Sequence, residues 1–171
     1  MKKQLDSDKS FLSAHHIHMI GIGGSGMCPI AELLLSRGYK VTGSERNDNA
    51  NVKRLRELGI IVYNEHIADN ISGADLVAYS AAVPETNPEM VAADNCGIAR
   101  MERSQLLGAI TRCYDNVIGV SGTHGKTTVS SMMTQILLLN KKNPNAVIGG
   151  KLPIADSSCV VGNSETLVCE S

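Results

Sequence analysis

The stretch from His16 to Glu45, HIHMIGIGGSGMCPIAELLLSRGYKVTGSE, decides the fold. An apolar run, His16 to Ile20, leads into Gly21-Ile22-Gly23-Gly24-Ser25-Gly26, and apolar residues at helical spacing follow from Ser25 to Arg37. Strand, glycine turn and helix in that order give the G-x-G-x-x-G pattern the setting it needs. Gly21 permits the tight turn, Gly23 lets a phosphate approach the backbone, and Gly26 lets helix and strand meet closely. The helix N-terminus adds unpaired N–H groups and the positive end of its dipole, both favourable to an anion. Gly38 stands at the expected C-cap, and Tyr39 to Thr42 reads as the second strand. Glu45, 19 residues after Gly26, falls where an acid that contacts a ribose hydroxyl is expected. Gly21 to Met27 (Gly21, Ile22, Gly23, Gly24, Ser25, Gly26, Met27) together with Glu45 is therefore a candidate phosphate-ligand site. NAD and other pyrophosphate-bearing nucleotides satisfy the pattern equally, and a glycine turn without a ligand is the plain alternative.

Outward from this stretch the alternation continues. Helices are expected over Asn51 to Leu58, Pro88 to Asn95 and Arg103 to Arg112. Strands are expected over Ile60 to Tyr63, Asp75 to Ser80 and Ile98 to Met101. Strands and helices alternating in this way imply a parallel, doubly wound α/β sheet of the Rossmann-like kind. The pattern then restarts with the strand Asn116 to Val120, a glycine turn, a long apolar helix from Lys126 to Leu139, and short strands at Ala146 to Ile148 and Thr166 to Cys169. A boundary near Tyr114–Asp115 divides the chain into a lead-in (1–14), a Rossmann-like unit (15–114) and a second unit (115–171). The lead-in MKKQLDSDKS turns acidic and polar after two lysines, unlike a signal peptide, and is expected to be disordered. The His15-His16 pair is expected to belong to that exposed lead-in. The second unit, with three expected strands, is short for a nucleotide-binding domain and reads as truncated.

Gly122-Thr123-His124-Gly125-Lys126-Thr127-Thr128 is a second phosphate loop, again between a strand and a helix. Successive N–H groups in such a loop can cradle phosphates. Lys126 would meet the β/γ-phosphates and the Thr127 hydroxyl would ligate Mg²⁺, with ATP as the nucleotide. The strict Walker pattern requires a glycine where Val120 stands, so this loop is a shorter variant. A dehydrogenase needs only the first loop and a simple NTPase only the second. Both together suggest an enzyme that holds a nucleotide-linked substrate in one unit and uses ATP in the next.

Composition narrows the classes further. Sixteen basic and 17 acidic side chains give a net charge of −1, which disfavours binding driven by general attraction to nucleic-acid or membrane phosphates. One Phe, four Tyr and no Trp leave little for a base-stacking surface. No apolar run reaches the ~18 residues of a membrane span. The five cysteines are widely spaced without a CxxC pair, as expected of reduced, mostly buried thiols in a cytoplasmic protein.

On these residues the chain resembles the Mur ligases of peptidoglycan synthesis, which carry GTxGKT in place of a strict Walker motif. Further blocks are similar: His66 to Asn70, Tyr79 to Val83, Asn87-Pro88-Glu89, Glu102-Arg103-Ser104, Gly149-Gly150, Gly162 to Glu165 and Val168 to Glu170. Within the family the blocks lie closest to the L-alanine-adding branch. The resemblance implies an α/β fold, a Rossmann-like UDP-sugar-binding domain followed by the start of a P-loop-type ATP-binding domain. It implies an ATP-dependent ligase that joins L-alanine to the carboxylate of UDP-N-acetylmuramic acid through an acyl phosphate. It implies UDP-sugar contacts by Gly21 to Met27, with Glu45, His66, Ser80 and Arg103 as further candidates. Lys126 and Thr127 would be catalytic, with Mg²⁺ on Thr127, and Glu170 would serve a second Mg²⁺. The family has three domains, so this chain alone is expected to be inactive while retaining UDP-sugar binding. The alternatives are an NAD(P)-dependent oxidoreductase, against which stands the lack of any hydride-transfer site, and a non-catalytic nucleotide-binding module.

Overall fold

The apolar run His16–Ile20 forms strand β1, buried along its whole length as a central strand of a parallel sheet must be. The computed structural model describes residues 2–152 and 157–170. By its internal contacts the chain divides at 109/110, a few residues before the boundary expected from the restart of the pattern.

In the first unit, β1 pairs in parallel with β2 (Lys40–Ser44) on one side and β4 (Leu76–Tyr79) on the other. Strands β3 (Ile61–Tyr63) and β5 (Ala99–Glu102) complete a parallel sheet in the order β3-β2-β1-β4-β5. The chain winds outward from β1 to β3, returns, and winds the other way through β4 and β5. Helices α2 (Cys28–Ser36), α3 (Ala50–Glu57), α4 (Pro88–Cys96) and α5 (Arg103–Thr111) connect the strands, with a 3₁₀ turn over Ala68–Ile71. The core is aliphatic, with Ile17, Met19, Ile20, Leu33, Leu76 and Met101 almost wholly buried.

Three expectations change here. The lead-in expected to be disordered forms a helix, α1 (Lys2–Ser13). Its Phe11 is 3 % exposed and stacks on Tyr39 with ring centroids 5.5 Å apart, so an aromatic contact anchors a segment whose composition is polar. His16, assigned to an exposed lead-in, is buried in β1, while His15 is exposed. Helix α2 begins at Cys28 rather than Ser25, because residues 24–27 make tight turns in which the Met27 and Cys28 amides donate to the Gly24 carbonyl. Glycines at 23, 24 and 26 are poor helix formers, and Pro29 suits a first helical turn.

In the second unit β6 (Asn116–Val120) pairs in parallel with β9 (Thr166–Glu170), and β9 pairs in parallel with β7 (Asn145–Leu152). Strand β8 (Ser157–Val160) adds antiparallel to β7, giving four strands in the order β6-β9-β7-β8 where three were expected. Helix α6 (Lys126–Leu139) packs Met133 and Leu137 onto Ala146, Ile148, Leu152 and Val168.

Candidate functional site

In open parallel sheets ligands bind beyond the carboxyl ends of the strands where the winding reverses. In the first unit that point lies between β1 and β4, and the Gly21–Met27 loop leaves β1 there. The Ser44 carbonyl at the end of β2 accepts from Gly21 N–H at 2.8 Å and Ile22 N–H at 3.2 Å. Gly24 N–H donates to the Gly21 carbonyl at 3.1 Å. The amides of Gly23, Ser25 and Gly26 have no partner among the described residues. The Ile22 and Met27 side chains are core, so these two residues could serve a ligand only through their backbone.

The neighbours of this loop are tightly placed. A Cβ on Gly23 would stand 2.8 Å from both Glu45 Cγ and Val52 Cγ2, so only glycine allows the loop, Glu45 and α3 to meet. Asn49 and Asn51 donate from their side-chain amides to the Gly23 carbonyl at 3.2 and 2.9 Å. Asn49 also N-caps α3 by accepting from Val52 N–H. The Glu45 carboxylate accepts from Asn47 N–H at 3.1 Å. Ser80 Cβ lies 3.7 Å from the Cβ position of Gly21, and Arg103 Nε and Nη1 lie 3.3 and 3.4 Å from that of Gly26. Thus Glu45, Ser80 and Arg103 all border the glycine loop, and Arg103 brings a cation to it.

His66 is placed differently. Its Nδ1 lies 2.8 Å from Glu89 Oε2 and 2.9 Å from Ser44 Oγ, and its side chain is 12 % exposed. It is linked to the glycine loop through Ser44. Glu89, fully buried in the first turn of α4, also accepts from Ser44 Oγ, Asn70 Nδ2 and His18 Nε2 at 2.7, 2.7 and 3.2 Å. Burial alone would raise the Glu89 pKa, but the hydrogen bonds from His18, Asn70 and Ser44 outweigh it and hold the carboxyl below its ordinary value. His18 Nδ1 and His16 Nε2 both lie 2.9 Å from Thr42 Oγ1. Burial lowers the His16 pKa, against the opposing effect of its hydrogen bond to the Gly73 carbonyl. This polar core escaped the sequence reading. Asn87-Pro88-Glu89 looks like an ordinary helix start, with Asn87 as cap and an acid in the first turn. The alternate histidines of HIHMI were the available signal.

In the second unit, Thr123, His124, Gly125, Thr127 and Thr128 are exposed at the mouth of the loop. Lys126 Nζ donates to the Gly122 carbonyl at 2.9 Å, folding back over its own loop. Because β6 and β9 pair with Val120 opposite Glu170, the loop after β6 meets the end of β9. The Thr127 hydroxyl lies 3.1 and 3.3 Å from the two Glu170 carboxylate oxygens, and Gly149 N–H also donates to that carboxylate. A hydroxyl and a carboxylate are hard oxygen donors, the set Mg²⁺ takes when phosphates and water complete its shell. The donor set therefore fits the cation.

The family model described as "Mur ligase family, catalytic domain" matches residues 16–114. A UDP-N-acetylmuramate–L-alanine ligase of Clostridium novyi is 42% identical over 155 residues, covering 91% of this chain and 34% of that protein. One from Legionella pneumophila is 41% identical over 172 residues, covering 98% of this chain and 36% of that protein. Among solved structures, UDP-N-acetylmuramate-alanine ligase MurC from Thermotoga maritima superimposes with a TM-score of 0.84 at 32% identity, covering 91% of this chain and 37% of that one. The chain thus spans about a third of the length of the curated relatives it matches.

Proposed function

The chain belongs to the Mur ligase family, and from that premise we propose that it contributes the UDP-N-acetylmuramic acid site and the phosphate loop of a cytoplasmic, ATP-dependent ligase that adds L-alanine. The observation that carries this reading is the presence of two phosphate loops of different type, the second with Thr127 and Glu170 already in contact. In the first unit the amides of Gly23, Ser25 and Gly26 and the Arg103 guanidinium would bind the UDP pyrophosphate. Glu45, Ser80 and His66 would meet the nucleoside and the surrounding loops.

In the second unit the loop amides from Gly122 to Thr128 would cradle the ATP phosphates, and Lys126 would leave the Gly122 carbonyl for the β/γ-phosphates. Thr127 and Glu170 would hold Mg²⁺. Bound there, the cation supplies charge neutralisation between the γ-phosphate and the attacking muramoyl carboxylate. Lys126 would serve the same demand, since two anions must meet before the γ-phosphoryl group passes to the carboxylate, forming an acyl phosphate and releasing ADP. The L-alanine amine then displaces phosphate to form the amide.

Calorimetric titration with UDP-N-acetylmuramic acid and, in parallel, NADH tests the reading. Binding of the UDP-sugar without NADH is the expected result. Binding of NADH alone would replace the ligase reading with the oxidoreductase alternative.

A further inference from the structure

Two apolar strands lead into the two phosphate loops, and their surroundings differ. Strand β1 (HIHMI) is paired on both sides and buried throughout, whereas β6 (NVIGV) is the outermost strand of its sheet and its Val117 is 42 % exposed. An apolar run of this kind belongs in the interior of a parallel sheet. Asn116 N–H donates to the Glu165 carbonyl, just before β9, at 3.0 Å. By the alternation of a parallel ladder, Asn116, Ile118 and Val120 then bond β9, while Val117 and Gly119 turn their amides and carbonyls outward. Those outward groups have no partner among the described residues.

The outer strands of the first sheet are treated otherwise. Arg56 Nη2 donates to the Val62 carbonyl of β3 at 3.1 Å, and Gln105 Oε1 accepts from the Glu102 N–H of β5 at 3.0 Å. Side chains that occupy an edge in this way block the addition of another strand. Strand β6 has no such side chain among the described residues, and it carries no charge and no proline. The helix that follows it adds to the contrast. Met133 and Leu137 of α6 pack with Ile118 onto the sheet, while Val129, Met132, Ile136 and Leu139 on the other side of the helix are 50 to 73 % exposed. A helix apolar all round is ordinarily a buried one. With Val117 these side chains present roughly several hundred Å² of apolar surface, the scale at which exposed patches mark protein contacts.

The chemistry of this surface selects its occupant. The single charge within β6 and α6 is Lys126 at the start of the helix, so a charged partner finds nothing here to pair with. The edge is instead complementary to itself. Set antiparallel to a second β6 and centred on Ile118, all five residues pair, with Asn116 against Val120 and Val117 against Gly119. Val117 and Gly119 are the outward residues, so each exchanges both its N–H and its C=O with the other, giving four hydrogen bonds about the two-fold axis. The Ile118 side chains meet across that axis. Asp115, the charge next to the strand, falls opposite Ser121 of the second copy and away from the other Asp115. The axis leaves both α6 helices on one face of the joined sheet and the two phosphate loops at opposite ends of the seam. A net charge of −1 per chain opposes the approach only weakly.

We propose that two copies of the chain associate through β6, antiparallel about Ile118, joining the two four-stranded sheets into one of eight strands. The contact is smaller than the roughly 800 Å² per partner of a standard interface, so the dimer dissociates on dilution.

Sedimentation velocity from about 1 to about 200 µM should show the chain mass at the dilute end and twice that mass at the concentrated end. Val117→Lys, which sets a charge on the edge, and Gly119→Pro, which removes an outward N–H, should each raise the dissociation constant by about tenfold or more. Val117→Thr, neutral and β-branched, should stay within about threefold of the parent. Circular dichroism checks that each variant is folded. Amide hydrogen exchange of the unsubstituted chain needs no variant. The Val117 and Gly119 amides should exchange fast in dilute solution and become protected on concentration, while the Ile118 amide, bonded to β9, is protected in both. A monomer at every concentration would overturn the proposal, as would growth beyond the dimer, which a closed two-fold contact forbids. A dimer in which the Val117 and Gly119 amides still exchange fast would also overturn it, as would folded Val117→Lys that dimerises as tightly as the parent.

Discussion

The two glycine loops have similar sequences and opposite surroundings. In the first, side chains from other elements crowd the backbone, with Glu45 and Val52 against Gly23 and Arg103 against Gly26. In the second, nothing among the described residues lies within 4 Å of the Cβ position of Gly125, and Gly122 meets only the His124 carbonyl of its own loop. The first site is shaped by packing before any ligand arrives. The second is an open cradle whose lysine rests on its own backbone and whose geometry a nucleotide would complete. Built-in order of the first kind lowers the ordering cost of binding.

If that contrast is sound, the largest effect belongs to Gly23→Ala. The new methyl meets buried Val52 at 2.8 Å, so we expect a loss of about 1–3 kcal/mol in urea unfolding and at least tenfold weaker UDP-sugar binding. Stability and affinity close to those of the parent would show the first loop to be as open as the second.

Acid should weaken the first unit before it affects the second loop. The folded-state pKa of His16 lies below its ordinary 6.5, so the unfolded chain binds that proton first and stability falls as pH drops below about 6.5. The folded-state pKa of Glu89 lies below its ordinary 4.5, so its stabilising contribution is present above that pH and is lost as pH falls further, through the folded value. His18 and His66 face the Glu89 carboxylate, and the charges of Lys40 and His18 lower the His16 value while that of Asp75 raises it. Urea midpoints measured from pH 7.5 to 4 should decrease throughout. A midpoint that rises on acidification would contradict the ionised network.

Smaller effects are expected in the second loop. Gly125 has φ +76°, so Gly125→Ala strains the backbone by about 1 kcal/mol without a clash and should weaken MgATP binding more than folding. Lys126→Ala should abolish detectable MgATP binding in calorimetry while changing stability by less than about 0.5 kcal/mol. A cooperative loss of structure in either variant would mean that this loop is also built in.

Both loops were legible because the glycine spacing, the flanking strand and the following helix are local signals. Glu45 lies at the first loop as its spacing after Gly26 led one to expect, whereas Ser80, Arg103 and Glu170 were candidates only through the family resemblance. The Glu89 network was not legible, since its members are scattered from residue 18 to residue 89 and each has an ordinary local reading. Helix α6 shows a second limit. Its Ser130 and Thr134 are buried, each hydroxyl returned to a backbone carbonyl, while Val129, Met132, Ile136 and Leu139 are exposed. Periodicity marks an apolar stripe but does not say which side it faces. Helix α1 was missed because a single stacked ring pair, Phe11 on Tyr39, accompanies helix formation in a polar segment.

The most direct test of the central claim is a pair of ¹⁵N amide titrations, one with UDP-N-acetylmuramic acid and one with MgATP. The account predicts that the UDP-sugar shifts the Gly23, Ser25, Gly26 and Arg103 amides and leaves Gly122 to Thr128 in place, and that MgATP does the reverse. UDP-sugar shifts confined to Gly122–Thr128, or MgATP shifts confined to Gly21–Met27, would contradict the assignment of one nucleotide to each loop.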